Sequence, residues 1–250
     1  MNTRKPTVNI VIPVLNEEAN IIFAINKLYL FCESNLNRYD WGITIADNGS
    51  VDDTYVLSQQ ISQSKSQVHV VRLEQAGRGR ALKRVWLQSD CDIFAYMDVD
   101  LSTDLNHLPV LLDAVNTKSC SLATGSRLLT DSVVKNRSFK RGFISRCYSL
   151  LFRSMFLVSF KDAQCGFKAI SKDSAHILLP VIQDTGWFFD TELMILASKN
   201  KYIIKEIPIL WIDDPNSTVR ILHTAWEDIK GLLRMRFLGL NKNTTNLLKL

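Results

Sequence analysis

Short apolar runs alternate with polar, helix-periodic segments along the first hundred residues of the chain. Val8-Asn9-Ile10-Val11-Ile12 has the length and β-branched character of a buried strand, and Pro13 is expected to end it. From Asn16-Glu17-Glu18 onward, a 3.6-residue rhythm predicts a helix towards Phe31, with both carboxylates at its positive end. Residues 42–46 predict a second strand, and Asp52 and Asp53 stand where the next helix would be capped. Strands are expected at 68–73 and 93–97, with a helix at 80–87 between them. Strands alternating with helices imply right-handed βαβ units and a mainly parallel sheet of the α/β class. Ligands of such sheets bind beyond the carboxyl ends of the strands. Asp47, Gly77-Arg78-Gly79 and the pair Asp98/Asp100 all fall at or just after predicted strand ends, so one crevice should hold all three.

Length and charge narrow the picture. The 250 residues suit one large α/β domain, or one domain with a small appendage. A net charge of +5 is mild for nucleic-acid binding, which is not expected, but suits an anionic substrate or membrane surface. Five cysteines without a C-x-x-C pair point to a reduced, cytosolic setting. The four histidines are too scattered for a zinc site. The N-terminus runs straight into the first strand with no signal-peptide core. The richest apolar stretch, residues 149–160, is broken by Arg153 and falls short of the ~20 residues needed to span a bilayer. Any membrane association is therefore expected to be peripheral.

Three polar groups carry candidate chemistry. Side chains two apart on a strand share a face, so Asp98 and Asp100 at a strand end can both meet one cation. Such hard oxygen ligands suit Mg²⁺ or Mn²⁺, which also takes substrate phosphates; two solvated acids opening a loop have the same spelling. Asp47-Asn48-Gly49-Ser50 fits a plain turn, or a turn from which Asp47 accepts hydrogen bonds from a nucleobase edge. Gly77-Arg78-Gly79-Arg80 offers backbone amides and two guanidinium groups to a diphosphate. It lacks the third glycine, and the position after the first strand, of a dinucleotide fingerprint.

Val11-Ile12-Pro13-Val14-Leu15-Asn16-Glu17-Glu18, Ala46-Asp47-Asn48-Gly49-Ser50 and Met97-Asp98-Val99-Asp100-Leu101-Ser102 resemble the nucleotide-sugar half of family 2 glycosyltransferases. Gly125-Ser126-Arg127, Asp162-Ala163-Gln164-Cys165-Gly166-Phe167-Lys168 and Trp187-Phe188-Phe189-Asp190-Thr191-Glu192 narrow the resemblance. They are similar to dolichyl-phosphate glucosyltransferases and mannose synthases and their bacterial polyprenyl-phosphate relatives. The resemblance implies a GT-A fold, a Rossmann-like nucleotide-diphospho-sugar transferase architecture. It implies a donor site of Pro13, Asn16, Glu17, Asp47, Gly49, Gly77, Arg78, Arg80, Asp98 and Val99. It also implies Mg²⁺ or Mn²⁺ on Asp98 and Asp100, with Gln164 as third ligand. Arg127, Arg141, Ser145, Ser217 and Arg220 would hold an acceptor phosphate; the usual Ser-Lys-Val of the last loop reads Ser217-Thr218-Val219-Arg220. Trp187, Asp190 and Glu192 are the implied orienting groups. Each has a plainer alternative: a solvent-facing strand end for Arg127, a buried brace for Gln164, core packing for Trp187 to Phe189, and helix-dipole partners for Asp190 and Glu192.

Residues 135–160 combine Phe139, Phe143, Cys147, Leu150, Leu151 and Ser154 at helical spacing with six basic neighbours, including Arg137 and Arg141. That pattern fits an interfacial helix or a core helix with a solvated basic face. Leu222, Trp226, Ile229, Leu233 and Phe237 form a second such run. The expected organisation is a catalytic domain over 1–222 (donor half about 7–125, acceptor half about 126–222), followed by an amphipathic helix and tail over 223–250. The expected activity is inverting transfer of a hexose from a nucleotide sugar, UDP-glucose ahead of GDP-mannose, to a polyprenyl phosphate. It would take place at the cytoplasmic face of a membrane, with a membrane protein or a second copy as further partners. The rivals are a glycosyltransferase acting on a glycan or protein hydroxyl, and a non-catalytic sugar-nucleotide or lipid-binding module.

Overall fold

A computed structural model describes residues 4–213 and 221–239. The first half alternates β1 (Thr7–Val14), α1 (Ile21–Asn35), β2 (Asp40–Asp47), α2 (Thr54–Ser64), β3 (Val68–Arg72), α3 (Arg78–Gln88) and β4 (Ile93–Met97). Then come α4 (Leu108–Asn116), β5 (Leu122–Ser126), β6 (Val133–Lys135), α5 (Phe139–Phe156), β7 (Phe167–Ser171) and α6 (Lys172–Leu178). The remaining elements are α7 (Phe189–Lys199), β8 (Ile204–Pro208), β9 (Leu210–Ile212) and α8 (Ile221–Arg234). The seven-stranded sheet has the order β3-β2-β1-β4-β7-β5-β8. Only β7 runs against its neighbours; the other pairs are parallel. A parallel two-stranded patch, β6-β9, stands beside it.

Helices cover both faces, so the strands read as continuous apolar runs. Val8, Ile10, Ile12 and Val14 of β1 pack with α1 and α4. Val11, with Phe94 and Tyr96 of β4, packs into a second core built with α3, α5, α6, α7 and α8.

Two local expectations are corrected and a third is sharpened. Pro13 does not end β1: it pairs opposite Ala46 of β2, and on the β4 side pairing has already stopped at Val11. A proline is tolerated where a strand has one neighbour. The first helix begins at Ile21, because Asn16 adopts φ +56° and residues 17–20 form a turn closed by Asn20 N on Glu17 O (3.0 Å). Glu17 and Glu18 therefore precede the helix. Asp52, not Asp53, bonds the first amide of α2, its Oδ1 accepting from Thr54 N at 3.0 Å.

Candidate active site

One cleft of about 1040 Å³ opens at the carboxyl ends of β1, β2, β4 and β5. Its lining includes Pro13, Asn16, Glu17, Asn48, Gly77, Arg78, Asp98, Val99, Asp100, Arg127, Arg141, Ser145, Gln164, Trp187 and Asp190. Most of the residues expected from the sequence therefore meet in one place. Ser217 and Arg220 lie outside the described residues.

On the donor side, two loops are zipped together. Asn16 N donates to Ser50 Oγ (2.9 Å) and Val51 N to Asn16 Oδ1 (3.0 Å). Glu17 N donates to Thr54 Oγ1 (2.7 Å). Asp47 is fully buried at the end of β2, 3.5 Å from Arg72 Nε; its Oδ2 accepts no hydrogen bond among the described residues. Gly49 makes the turn at φ +79° behind the cleft lining.

The glycine-arginine segment behaves differently from expectation. Gly77 sits at φ +155°, and a Cβ there would fall 2.6 Å from Thr185 O. The amides of Gly79 and Arg80 are already spent on Gly186 O (3.3 Å) and Thr185 O (3.1 Å), since the start of α3 docks on that loop. The Arg80 guanidinium turns back to Ala76 O (2.9 Å). Of the two guanidinium groups, that of Arg78 reaches into the cleft. It pairs with Asp190 (3.0 Å) and Asp98 (3.5 Å), donates to Tyr96 Oη (2.7 Å) and lies 4.9 Å over the Trp187 ring. Burial opposes its charge, yet Asp98, Tyr96 and Asp190 hold its pKa well above the usual value.

Asp98 and Asp100 stand in the turn just past β4, with Leu101 at φ +49°. Chain reversal, not strand alternation, aims them into the same cleft. Asp100 Oδ1 accepts from Ser102 N (2.9 Å). Asp98 N donates to Gly166 O (3.1 Å), and the bare Cα of Gly166 leaves the room that the Asp98 carboxylate occupies. Burial pushes Asp98 up to about 6; Arg78 opposes this, while Asp100 and Asp190 add repulsion. A cation would relieve that repulsion. Gln164 donates Nε2 to Asp228 Oδ2 (2.6 Å), which leaves its carbonyl oxygen as the free donor atom. Two carboxylates and an amide oxygen form a hard donor set that fits Mg²⁺ or Mn²⁺.

The orienting groups separate. Asp190 is buried and engaged by Lys168 Nζ (3.0 Å), Arg78 and Tyr96 Oη. Trp187 is half-exposed over Arg78, whereas Phe188 and Phe189 are core. Glu192 lies away from the cleft. It accepts from Gln183 N (3.1 Å) and Asp184 N (2.9 Å) and pairs with Arg234 (2.6 Å), so it ties a loop to α8.

At the other end of the cleft, Arg127 is not a solvent-facing strand end. Asp162 clamps it through Nε (2.7 Å) and Nη2 (2.9 Å). Burial would raise the Asp162 pKa, but the Arg127 charge overrides it and holds the carboxyl at about 2. Arg141 donates to Asp213 (3.0 Å). Ser145 Oγ accepts from Arg137 Nη2 (2.6 Å). Burial, and then the Arg127 charge, pull the Arg137 pKa below its usual value.

Arg137, Asp213, Trp211 and Asp228 also line the cleft and were not singled out from the sequence. Asp228 had a readable signal. It shares a helical face with Leu232 and Met235, both core residues, so a carboxylate at that position must find a buried partner. The apolar run chosen instead faces outward: Trp226, Leu233 and Phe237 are exposed. On α5 the run Phe139, Phe143, Cys147, Leu150, Leu151 and Ser154 is likewise exposed, while Ser149, Phe152 and Phe156 face the core. Among the described residues no helix is long and apolar enough to cross a membrane.

Comparison with known proteins places this geometry. The chain is 32% identical over 226 residues to the glycosyltransferase AglD of Haloferax volcanii, covering 90% of this chain and 35% of AglD, so it spans about a third of that relative. It is 26% identical to a dolichyl-phosphate beta-glucosyltransferase of Dictyostelium discoideum, covering 92% of this chain and 73% of the relative. It is 27% identical to a polyprenol monophosphomannose synthase of Mycolicibacterium smegmatis, covering 82% and 77%. The fold is shared with glucosyl-3-phosphoglycerate synthase of Mycobacterium tuberculosis solved with UDP, at a TM-score of 0.70 and 21% identity over 92% of this chain and 80% of that one. The mainly parallel sheet with its one reversed strand is thus the GT-A arrangement. Residues 9–178, more than half of the chain, match the glycosyl transferase family 2 pattern, and the chain belongs to that family.

Proposed function

We propose that this protein moves a hexose from a nucleotide diphosphate sugar, UDP-glucose before GDP-mannose, onto the phosphate of a polyprenyl phosphate. The observation that carries the reading is that one cleft is lined both by the hard-oxygen groups Asp98, Asp100 and Gln164 and by an arginine-serine cluster of Arg127, Arg137, Arg141 and Ser145. A phosphate monoester, with a second pKa of ~6, is already a nucleophile at neutral pH. It needs no general base, but two anionic substrates must be brought together. Arg127, Arg137 and Arg141 lower that repulsion on the acceptor side. A divalent cation on the donor diphosphate would neutralise charge on the departing nucleotide. Asn48 lines the nucleoside end of the cleft, with the fully buried Asp47 behind it; Asp190 holds Arg78 against the diphosphate side. Displacement in line at the anomeric carbon gives inversion.

A hydroxyl acceptor would need a general base. Asp190 is already tied to Arg78, Lys168 and Tyr96, and Glu192 lies outside the cleft, so neither is placed for that role. The outward apolar residues on α5 and α8 support a peripheral seat on the membrane that carries the acceptor, which this reading puts at the cytoplasmic face. The names of the relatives in Dictyostelium and Mycolicibacterium support a polyprenyl-phosphate acceptor. Structures of the mycobacterial synthase with Mn²⁺ and UDP-glucose make Mn²⁺ the first ion to try. The test incubates the protein with Mn²⁺, geranylgeranyl phosphate and radiolabelled UDP-glucose or GDP-mannose, then extracts into organic solvent. Label should enter the organic phase with one donor; label that stays aqueous with both would refute the acceptor assignment.

A further inference from the structure

The three arginines at the acceptor end are not equivalent. Arg127 is clamped by Asp162, and Arg141 is paired with Asp213. Arg137 forms no ion pair among the described residues. Its one hydrogen bond runs from Nη2 to Ser145 Oγ, and its Nε and Nη1 are shielded from solvent without any partner. Among the described residues, two of these three guanidinium groups have a carboxylate partner and Arg137 has none. Shielded donors left unpaired on a half-buried cation are costly, and buried polar groups are otherwise nearly always satisfied. Because Ser145 Oγ accepts from Arg137, its own proton is left available as a further donor.

We propose that Arg137 is the residue that recognises the incoming phosphate monoester, with Arg127 and Arg141 acting as a carboxylate-held frame around it. The inference rests on the phosphate-acceptor reading above. The unpaired N–H groups of Arg137 and the Ser145 hydroxyl supply charge-assisted hydrogen bonds to a dianion that the frame arginines, already engaged, supply less fully. Lysine, a point charge without the planar fork, substitutes only in part. The same chemistry fits a lipid phosphate and a free phosphate, and the experiment separates them.

Wild type, Arg137→Gln and Arg137→Lys are compared in the full chain with Mn²⁺, with thermal melting to establish that each folds. Transfer is measured against geranylgeranyl phosphate. Binding is measured for geranylgeranyl phosphate, geranylgeraniol, inorganic phosphate and UDP. Arg137→Gln should raise KM and Kd for geranylgeranyl phosphate about 10–100-fold, leave UDP affinity within about twofold, and leave geranylgeraniol binding unchanged; Arg137→Lys should fall between. If inorganic phosphate shows the same loss, the site reads phosphate alone; if only the lipid phosphate does, the prenyl chain is needed to seat it. An unchanged acceptor KM and Kd in Arg137→Gln, or an equal loss of UDP affinity, overturns the assignment while leaving the transfer reaction standing. Wild type that labels no lipid refutes the acceptor reading instead. The binding series then still decides whether Arg137 holds a phosphate.

Discussion

Replacing Gly166 by alanine isolates what holds Asp98 in position. A Cβ at Gly166 would lie 2.6 Å from Asp98 Oδ1 and closer still to Oδ2, where side-chain Cβ contacts under 3.0 Å essentially never occur. Gly166 is not among the positive-φ glycines, so alanine adds no backbone strain and the effect is steric. The Asp98 N–H donates to Gly166 O at 3.1 Å, so the two backbones cannot simply part. The carboxylate must swing away by ~1.5–2 Å to restore ordinary contact. Displacement of that size at a reacting centre costs ~100-fold in rate, and the overpacking should cost ~1–3 kcal/mol of stability. The assay is Mn²⁺ titration followed by electron paramagnetic resonance, with transfer kinetics in parallel. Gly142→Ala serves as control: nothing lies within 4 Å of a Cβ there, and a mid-helix alanine should be neutral or stabilising by ~0.5–1 kcal/mol. A Gly166→Ala protein with wild-type Mn²⁺ affinity and turnover would refute the placement of Asp98 at the cation.

Other residues give separate tests. Asp228→Ala should release the Gln164 amide and weaken Mn²⁺ binding ~10–100-fold, while Asp228→Asn, which still offers an oxygen to Gln164 Nε2, should keep most of it; equal losses in the two would argue against an orienting role. Glu192→Ala should cost ~3–5 kcal/mol in urea unfolding, since it takes the carboxylate from Arg234, which keeps its bond to Gln183 Oε1, and strands two loop amides, and an unshifted midpoint would count against it. His107 is half-buried and its Nε2 accepts from Leu210 N (2.9 Å). Burial lowers its pKa, with Asp104 opposing. Its contribution is therefore full above the unfolded value of ~6.5 and lost as pH falls below it. His107→Gln should flatten the fall in stability between pH 7.5 and 5.5, and an identical slope would contradict this.

Much of the site was legible because it lies on short segments that immediately follow strands. Pro13, Asp98, Asp100 and Arg127 each sit at a strand end, and parallel βαβ topology brings those ends together. The same logic could not tell which charges would remain free. Gly79 and Arg80 looked like diphosphate donors until the loop at Thr185 and Gly186 took their amides. Glu192 is two residues from Asp190 in a helix, and that spacing turns it about 200° away, towards Arg234.

The apolar periodicity, the strand-end polar clusters and the family motifs determined the first four strands, the crevice and most of its lining, because they rest on local spacing and a right-handed crossover rule; the reversed β7 and its neighbours β5 and β8 came only with the fold. Only the tertiary structure decided the pairing of charges. Asp162 meets Arg127 across 35 positions, Asp213 meets Arg141 across 72 and Asp228 meets Gln164 across 64. A salt bridge depends on where side chains arrive after packing, and no local pattern encodes such distances. The arginine that packing leaves without a carboxylate, Arg137, therefore became visible only in the fold.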